Sequence, residues 1–379
     1  MLLKNANILM DDFTFVQGDL RVTDGKIAGI GELVPCGDEE VRDLEGRYLI
    51  PGLIETHFHG AMGESADFAN DTMLPTFSNF EVTRGITTFV PGPGSAPDEV
   101  TERFLEKAVD FASKPYPGAK MCGVYLEGPF ISHERKGGHS AELLQLPSAE
   151  KLRRWQEKSG GLIKKTIVAP ELEGAEEFVR TGVELGIVVE IGHSIATYEQ
   201  AITSFDWGIT LATHTYNGMN PLNHRNPGVL GAVLTDPRVT SELICDFGHV
   251  APAAVKLCIL AKGYDKINVI SDSMMAAGLG DGVYVGGDGH KTIVENGLSK
   301  NEEGTITGSA CTIMEGMRNL VSIGIPLEMA VKMCSYNPAR MLRIDHETGS
   351  IACGKWADLV ALNRDLSIEA VWVDGVQKV

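Results

Sequence analysis

A rhythm constrains this chain more than any single motif. Short β-branched or apolar runs recur along it, each followed by polar residues and then by a helix-like stretch. The runs are YLIPGLIET (48–56), GITTFVPG (85–92), KMCGVYLEG (120–128), KKTIVAPEL (164–172), GIVVEIGHS (186–194), GITLATHT (208–215), SELICDFGH (241–249) and INVISDS (267–273). Amphipathic helix candidates lie between several of them, at 98–113, 174–186 and 251–263. Near-continuous apolar strands alternating with helices pair in parallel, with both sheet faces covered. Eight such units predict an α/β chain folded as a (β/α)8 TIM-like barrel, with a doubly wound open sheet as the alternative.

The two ends break the rhythm. Residues 1–50 read as short strands with turns, and residues 348–379 do the same. Together they predict a small discontinuous β-sandwich domain, 1–50 with 348–379, beside a barrel domain of 51–347. Between Ser273 and the last strands, the pattern predicts a Gly-rich hairpin over 281–308 and helices near 311–322, 326–335 and 337–343. The stretch GLGDGVYVGGDG (278–289) has no strand before it and no helix after it, so it reads as a turn rather than a phosphate-binding loop.

Composition narrows the function. An apolar content of 43% over 379 residues suffices for a large core. No apolar run approaches the roughly 18 residues of a membrane span. The N-terminal MLLKNANILMDDF lacks the pattern of a signal peptide, so a cytoplasmic location is expected. Seven scattered cysteines with no C-x-x-C pair argue against a disulfide framework or a zinc–thiolate site and read as buried free thiols. The net charge of −18 repels nucleic acid and anionic lipid over most of the surface. An anionic small molecule would need a local cluster of cationic groups.

The polar residues fall where a barrel keeps its chemistry, at the C-terminal ends of strands. The first run ends in His57 and His59, the third in Glu127, the fifth in His193 and the sixth in His214. The seventh ends in Asp246 and His249, and the eighth in Asp272. His57 and His59 share one face of their strand and are read as exposed side by side. One histidine at a strand end is ordinarily a structural residue. Five of the ten histidines at such ends, with a carboxylate from another strand, predict a metal site. Imidazole and carboxylate without thiolate suit Zn²⁺, Fe²⁺, Mn²⁺ or Co²⁺ and disfavour Mg²⁺ and Ca²⁺. Such an ion lowers the pKa of a bound water towards about 7. By position Asp272 can take that water's proton, although an aspartate after a strand can also serve as a helix cap.

These residues resemble those of the amidohydrolase superfamily: PGLIETHFHG at the first strand, histidines at the fifth and sixth strand ends, SDS at the eighth, and the terminal GSIACGKWADLVAL. A closer resemblance, to the N-acetylglucosamine-6-phosphate deacetylases, covers nearly the whole chain. It is carried by LEGPFI (126–131), KGGH (136–139), EIGHS (190–194), THTYNGM (213–219), HRNPG (224–228), DFGHV (246–250) and TGSACTIMEGMRNL (307–320).

The resemblance implies deacetylation of N-acetylglucosamine 6-phosphate to glucosamine 6-phosphate and acetate, in amino-sugar catabolism and recycling. It implies Glu127, His193 and His214 as ligands of a tighter divalent metal. His57 and His59 would add a second ion bridged through Glu127, giving one or two per subunit, zinc first, then iron, manganese or cobalt. Asp272 would be general base and acid, and His139 would polarise the acetyl carbonyl. Gly138, His139, Asn217, Gly218, Arg225, Asp246 and His249 would contact the substrate, with Ile306, Thr307 and Gly308 as a further wall. Arg225, with its neighbour His224, would reach the other site of a homodimer. The alternatives are an N-acetylgalactosamine-6-phosphate deacetylase, another amidohydrolase, or a non-catalytic scaffold of the same fold.

Overall fold

The computed structural model describes residues 1–286 and 291–379. Its centre is a curled array of parallel strands, hydrogen-bonded as one sheet of three and one of six. The strands follow one another as Leu53–Phe58, Ile86–Pro91, Lys120–Met121 with Val124–Leu126, Ile163–Val168, Val188–Ile191, Leu211–Ala212, Thr240–Ile244 and Ile267–Ile270. Every hydrogen-bonded pair among them is parallel. The first and last strands meet where the Asp272 N–H donates to His57 O (3.0 Å) and the His59 N–H donates to Ser273 O (2.8 Å). Helices pack outside, and their apolar stripes face the sheet. In Asp98–Ala112 the buried residues are Thr101, Phe104, Leu105, Ala108 and Phe111, the spacing of one helix face.

The two chain ends join in a second sheet. It runs Val376–Gln377, Ile368–Val373, Leu359–Leu362, Tyr48–Pro51, Leu2–Leu9, Phe15–Thr23 and Lys26–Gly31, with Val41–Asp43 beside Leu2–Leu9. Leu3, Ile8, Leu20, Leu49, Leu359 and Trp372 form its own buried core.

Three runs divide differently from their reading in the sequence. The first serves both sheets: Tyr48–Pro51 pairs with Leu359–Leu362, and Leu53–Phe58 pairs with Ile86–Pro91. The third breaks at Gly123, where a Cβ would lie 2.2 Å from Lys164 Cγ. The 281–308 hairpin is instead part of a four-stranded antiparallel sheet of Gly282–Val285, Lys291–Glu295, Leu298–Lys300 and Ile306–Ser309. The stretch 278–289, read as a turn, contains the first of these strands; its residues 287–289 lie outside the described residues. The cysteines are unpaired, but only Cys245, Cys258 and Cys334 are buried, and Cys36 and Cys353 are exposed.

The crossing between the sheets occurs at Gly52. A Cβ there would sit 2.0 Å from Thr87 Oγ1 and 2.7 Å from Thr87 Cβ, and Thr87 is fully buried. The Gly52 N–H donates to Asp358 O (2.9 Å), and Ser335 Oγ donates to Gly52 O (2.7 Å), so the backbone is held from both sides. Gly52→Ala is expected to cost about 1–3 kcal/mol through overpacking. Thermal melts followed by circular dichroism should show a lowered midpoint.

Candidate metal centre

Six polar side chains converge where the parallel strands end. Glu127 directly follows Val124–Leu126, and His193, His214 and Asp272 each lie two residues beyond their strands. His57 lies within Leu53–Phe58 and His59 just past it. Three of the six occupy left-handed backbone: His193 at φ 45°, His214 at φ 25° and Asp272 at φ 50°. Non-glycine residues adopt that region at a cost, and they concentrate at functional sites. His57 and His59 are not exposed, as the sequence reading had them, but buried, at 0% and 3%. Asp272 and Ser273, just past the last strand, lie against the backbone of both.

Glu127 stands at the centre. Its Oε1 lies 3.1 Å from His214 Nε2 and 3.3 Å from His193 Nε2. Its Oε2 lies 2.7 Å from His59 Nε2 and 3.4 Å from His57 Nε2. Asp272 Oδ1 completes the second group, 3.3 Å from His59 Nε2 and 3.6 Å from His57 Nε2. The two imidazoles of the first group approach each other, with 3.0 Å between their Nε2 atoms.

The outward nitrogens decide what the inward ones can do. His59 Nδ1 donates to Gly92 O (2.7 Å), His193 Nδ1 to Arg135 O (2.6 Å) and His214 Nδ1 to Asn217 O (3.2 Å). His57 Nδ1 donates to Glu242 Oε2 (2.9 Å). A carbonyl or carboxylate oxygen only accepts, so each Nδ1 carries its ring's hydrogen. In the neutral rings every Nε2 then presents a lone pair to a carboxylate oxygen or to another lone pair. That arrangement is repulsive unless something positive lies between. His57 Nε2 and His59 Nε2 are buried without a hydrogen-bond partner.

Protonation answers the same demand. Burial opposes charge on His57, but the carboxylates of Glu127 and Glu242 outweigh it and push the ring up to about 10. His59 is likewise raised well above its ordinary value, against burial, by Asp272 and Glu127. Burial would raise Glu127, yet the charge of His57 and the surrounding imidazoles hold it well below the usual carboxylate range. Asp272 is lowered in the same way, through His59 and His57 against burial.

The donor set therefore fits divalent cations. His57, His59, Glu127 and Asp272 form one group whose ligand atoms lie within 4.8 Å of one another, and Glu127, His139 and His193 form another. Four imidazoles and two carboxylates with no thiolate are borderline ligands, suited to zinc and its first-row neighbours. Each ring's Nδ1 bond fixes its tautomer, as outer partners do in metal sites. Asp272 lies inside the ligand group rather than beside it.

The other predicted residues surround this group unevenly. The Ser95 N–H donates to His139 Nδ1 (3.1 Å), which leaves the hydrogen of a neutral ring on Nε2. Burial pulls His139 down to about 3, so it stays neutral. Gly218, at φ 63°, packs so closely that a Cβ would lie 3.1 Å from the His193 ring, which seats Asn217 and Gly218 beside that histidine. A Cβ on Gly138 would lie 2.9 Å from Thr307 Cγ2, and one on Gly308 would lie 2.7 Å from Asp272 O. Ile306, in the same strand, is 39% exposed. His249 Nδ1 bonds Asp246 Oδ2 (2.7 Å), while its buried Nε2 is unpartnered. Arg225 is not brought to the cluster; it is exposed and bonds its neighbour His224 at 2.9 Å.

Sequence reading missed the layer beneath. Lys165, Glu190 and Glu242 are fully buried inside the curled sheet, and Glu55 nearly so. Glu55 accepts the N–H of His57 (3.0 Å) and of Ser271 (3.1 Å), tying the first strand to the last. The signal was present for the glutamates: each is a lone charge inside an otherwise apolar strand stretch, as in GIVVEIGHS and SELICDFGH, whereas Lys165 follows Lys164 in its strand.

Comparisons with known proteins agree with this geometry. The model of the amidohydrolase family matches residues 48–378. An N-acetylglucosamine-6-phosphate deacetylase of Vibrio furnissii is 36% identical over 328 residues, 86% of this chain and 82% of the relative. An N-acetylgalactosamine-6-phosphate deacetylase of Escherichia coli O157:H7 is 35% identical over 376 residues, 99% of this chain and 98% of the relative. Among solved structures, the N-acetylglucosamine-6-phosphate deacetylase of Pasteurella multocida superposes with a TM-score of 0.93 at 30% identity, covering 100% of this chain and 99% of the other. A mutant of the Mycobacterium smegmatis enzyme, in complex with N-acetyl-D-glucosamine-6-phosphate, gives a TM-score of 0.92 at 31% identity, covering 100% of this chain and 98% of the other. Carrying a cation-demanding cluster at its strand ends and matching the family model over most of its length, this chain belongs to the amidohydrolase family.

Proposed function

We propose that this chain is a metal-dependent hydrolase that removes the acetyl group of N-acetylglucosamine 6-phosphate, releasing acetate and glucosamine 6-phosphate. The observation that carries the reading is the sharing of Glu127 between two imidazole pairs, with Asp272 against the His57/His59 pair. It is supported by the near full-length likeness to deacetylases of 6-phosphorylated N-acetyl amino sugars. The chain is read as a (β/α)8 barrel over 51–347 with a small discontinuous β-sandwich of 1–50 and 348–379. A cytoplasmic homodimer is the proposed working form; no helix among the described residues is long and apolar enough to cross a membrane.

Glu127, His193 and His214 would hold one divalent ion, with zinc first among the candidates, and His57, His59 and Glu127 a second. A cation there supplies a Lewis acid for the acetyl carbonyl and acidifies water at neutral pH. Asp272 Oδ1 takes a proton from the attacking water as the new C–O bond forms. It returns that proton to the amide nitrogen as the C–N bond breaks, so the amine leaves neutral. His139, neutral with its hydrogen on Nε2, donates to the carbonyl oxygen as negative charge develops there; such a donor is worth roughly 3–4 kcal/mol in comparable sites. Gly138, Asn217, Gly218, Asp246, His249 and the wall Ile306, Thr307 and Gly308 form the sugar pocket. Arg225 of the second subunit clamps the phosphate, for which its planar fork of donors is suited.

A second reading, N-acetylgalactosamine 6-phosphate as substrate, is favoured by the Escherichia coli relative, aligned over 98% of its length. A scaffold without activity is disfavoured, because the ligand set and the aspartate are all present and converge.

Acetate release is the decisive assay. Zinc-loaded protein should hydrolyse N-acetylglucosamine 6-phosphate much faster than the sugar without phosphate, and faster than the galactosamine epimer. Equal rates with and without phosphate would remove the phosphate site. Chelation should abolish release and added zinc restore it. Asp272→Asn should lower kcat by about 10²–10⁴-fold, the usual worth of a general acid–base group, while calorimetry still detects substrate binding. Mixing Arg225→Ala with Asp272→Asn subunits tests the shared site. If Arg225 serves the partner subunit, mixed dimers regain one intact site and activity returns; no recovery would place it in its own subunit's pocket.

A further inference from the structure

We infer that Glu242 is a positioning residue for His57, and that it sets how firmly the His57/His59 half of the centre holds its cation. The inference rests on the metal reading above and separates the two halves of the site. Three of the four inward-facing histidines donate Nδ1 to a backbone carbonyl, namely Gly92 O, Arg135 O and Asn217 O. His57 donates to a carboxylate instead, Glu242 Oε2 at 2.9 Å. A charged acceptor makes a stronger hydrogen bond than a neutral one and leaves the opposite ring nitrogen a better electron-pair donor.

The surroundings of Glu242 are built to keep it charged. Its side chain is fully buried, where an isolated carboxylate would give up its charge by taking a proton. Lys165 Nζ bonds its other oxygen, lies 2.9 Å from Glu190 Oε1, and donates to Thr56 O at 3.0 Å. Thr56 immediately precedes His57, so the same lysine fixes the backbone from which the ring projects. Lys165 also stands over the ring of Tyr125, 4.5 Å from its centroid, and Tyr125 packs against the His57 ring at 4.6 Å. Buried Glu–Lys–Glu groups contribute little stability over apolar residues of the same volume. Contact with His57 gives this one a purpose that stability does not.

The test uses the full chain, stripped of metal and titrated with Co²⁺ against a competing chelator, with the visible spectrum reporting each bound equivalent. Glu242→Gln should weaken one of two equivalents about 10–100-fold, the range found for partners of metal-ligating histidines, and leave the other unchanged. Glu242→Asp, which keeps a charge opposite Lys165 but withdraws from His57, should reproduce that loss. It carries the test should Glu242→Gln not fold. Glu190→Gln disturbs the same buried lysine but removes no hydrogen bond to His57, whose Nδ1 partner is Glu242, and both equivalents should keep their affinity. Equal weakening of both equivalents by the Glu242 and Glu190 variants would make the network a structural brace and overturn the inference. Unchanged affinity in both Glu242 variants would overturn it as well. Wild-type protein that binds no Co²⁺ would instead sink the metal reading, and the inference with it.

Discussion

The carboxylate of Glu127 sits between two pairs of imidazoles whose outward nitrogens are already committed as donors. That commitment turns a cluster of polar side chains into a site with one physical requirement. A proton or a cation must lie between each inward nitrogen and the carboxylate it faces. The 3.0 Å separation of the His193 and His214 Nε2 atoms states this most sharply, because two lone pairs at that distance repel. The residues at and just past the strand ends supply the imidazoles, the neighbouring loops supply three of the outward acceptors, and neither is sufficient alone.

Holding that geometry imposes conditions elsewhere. His193, His214 and Asp272 take left-handed backbone as each strand ends, which turns their side chains inward over the mouth of the sheet. Such conformations persist only where the surroundings determine them. Ser132 N–H bonds His193 O (2.9 Å), Asp272 N–H bonds His57 O (3.0 Å), and Ser309 N–H bonds Asp272 O (2.8 Å). The last of these makes the Ile306–Ser309 strand a direct neighbour of the aspartate. The Ile306–Ser309 strand and the backbone of Asp272 are therefore fixed together. Gly308 occupies that contact because a Cβ would meet the Asp272 carbonyl at 2.7 Å.

Much of this was legible in the chain because strand periodicity and strand-end chemistry are local signals. The apolar runs named the parallel strands, and the polar residues closing them named Glu127, His193, His214 and Asp272. Burial of His57 and His59 was not legible, since it depends on the last strand returning beside the first. Division of the third run at Gly123 depends on the neighbouring Lys164 side chain, which no local pattern reports. Glu55, Glu190, Glu242 and Lys165 could have been found. A charge inside a strand buried on both faces needs a partner, and partners on separate strands at one level mark a designed layer. Arg225 lies apart from the cluster, exposed and bonded to its neighbour His224, a placement that no strand-end pattern reports.

The buried charges also explain why a strongly acidic protein can keep so many carboxylates in one interior. Glu127, Asp272 and Glu242 all lie below their ordinary values despite burial that would raise them. Glu55 is pushed by burial to about 7, and Glu190 is pushed to about 7 by burial and the neighbouring charge of Glu242. The charges of His57, His59 and Lys165 compensate the first three carboxylates against burial. Replacing the protons of His57 and His59 by a cation keeps the same compensation and frees the rings to act as ligands. Metal binding at this centre must then release protons, and its affinity must fall as acid competes for the same nitrogens. The site's demand for charge and the chemistry expected of it thus arise from one arrangement of lone pairs.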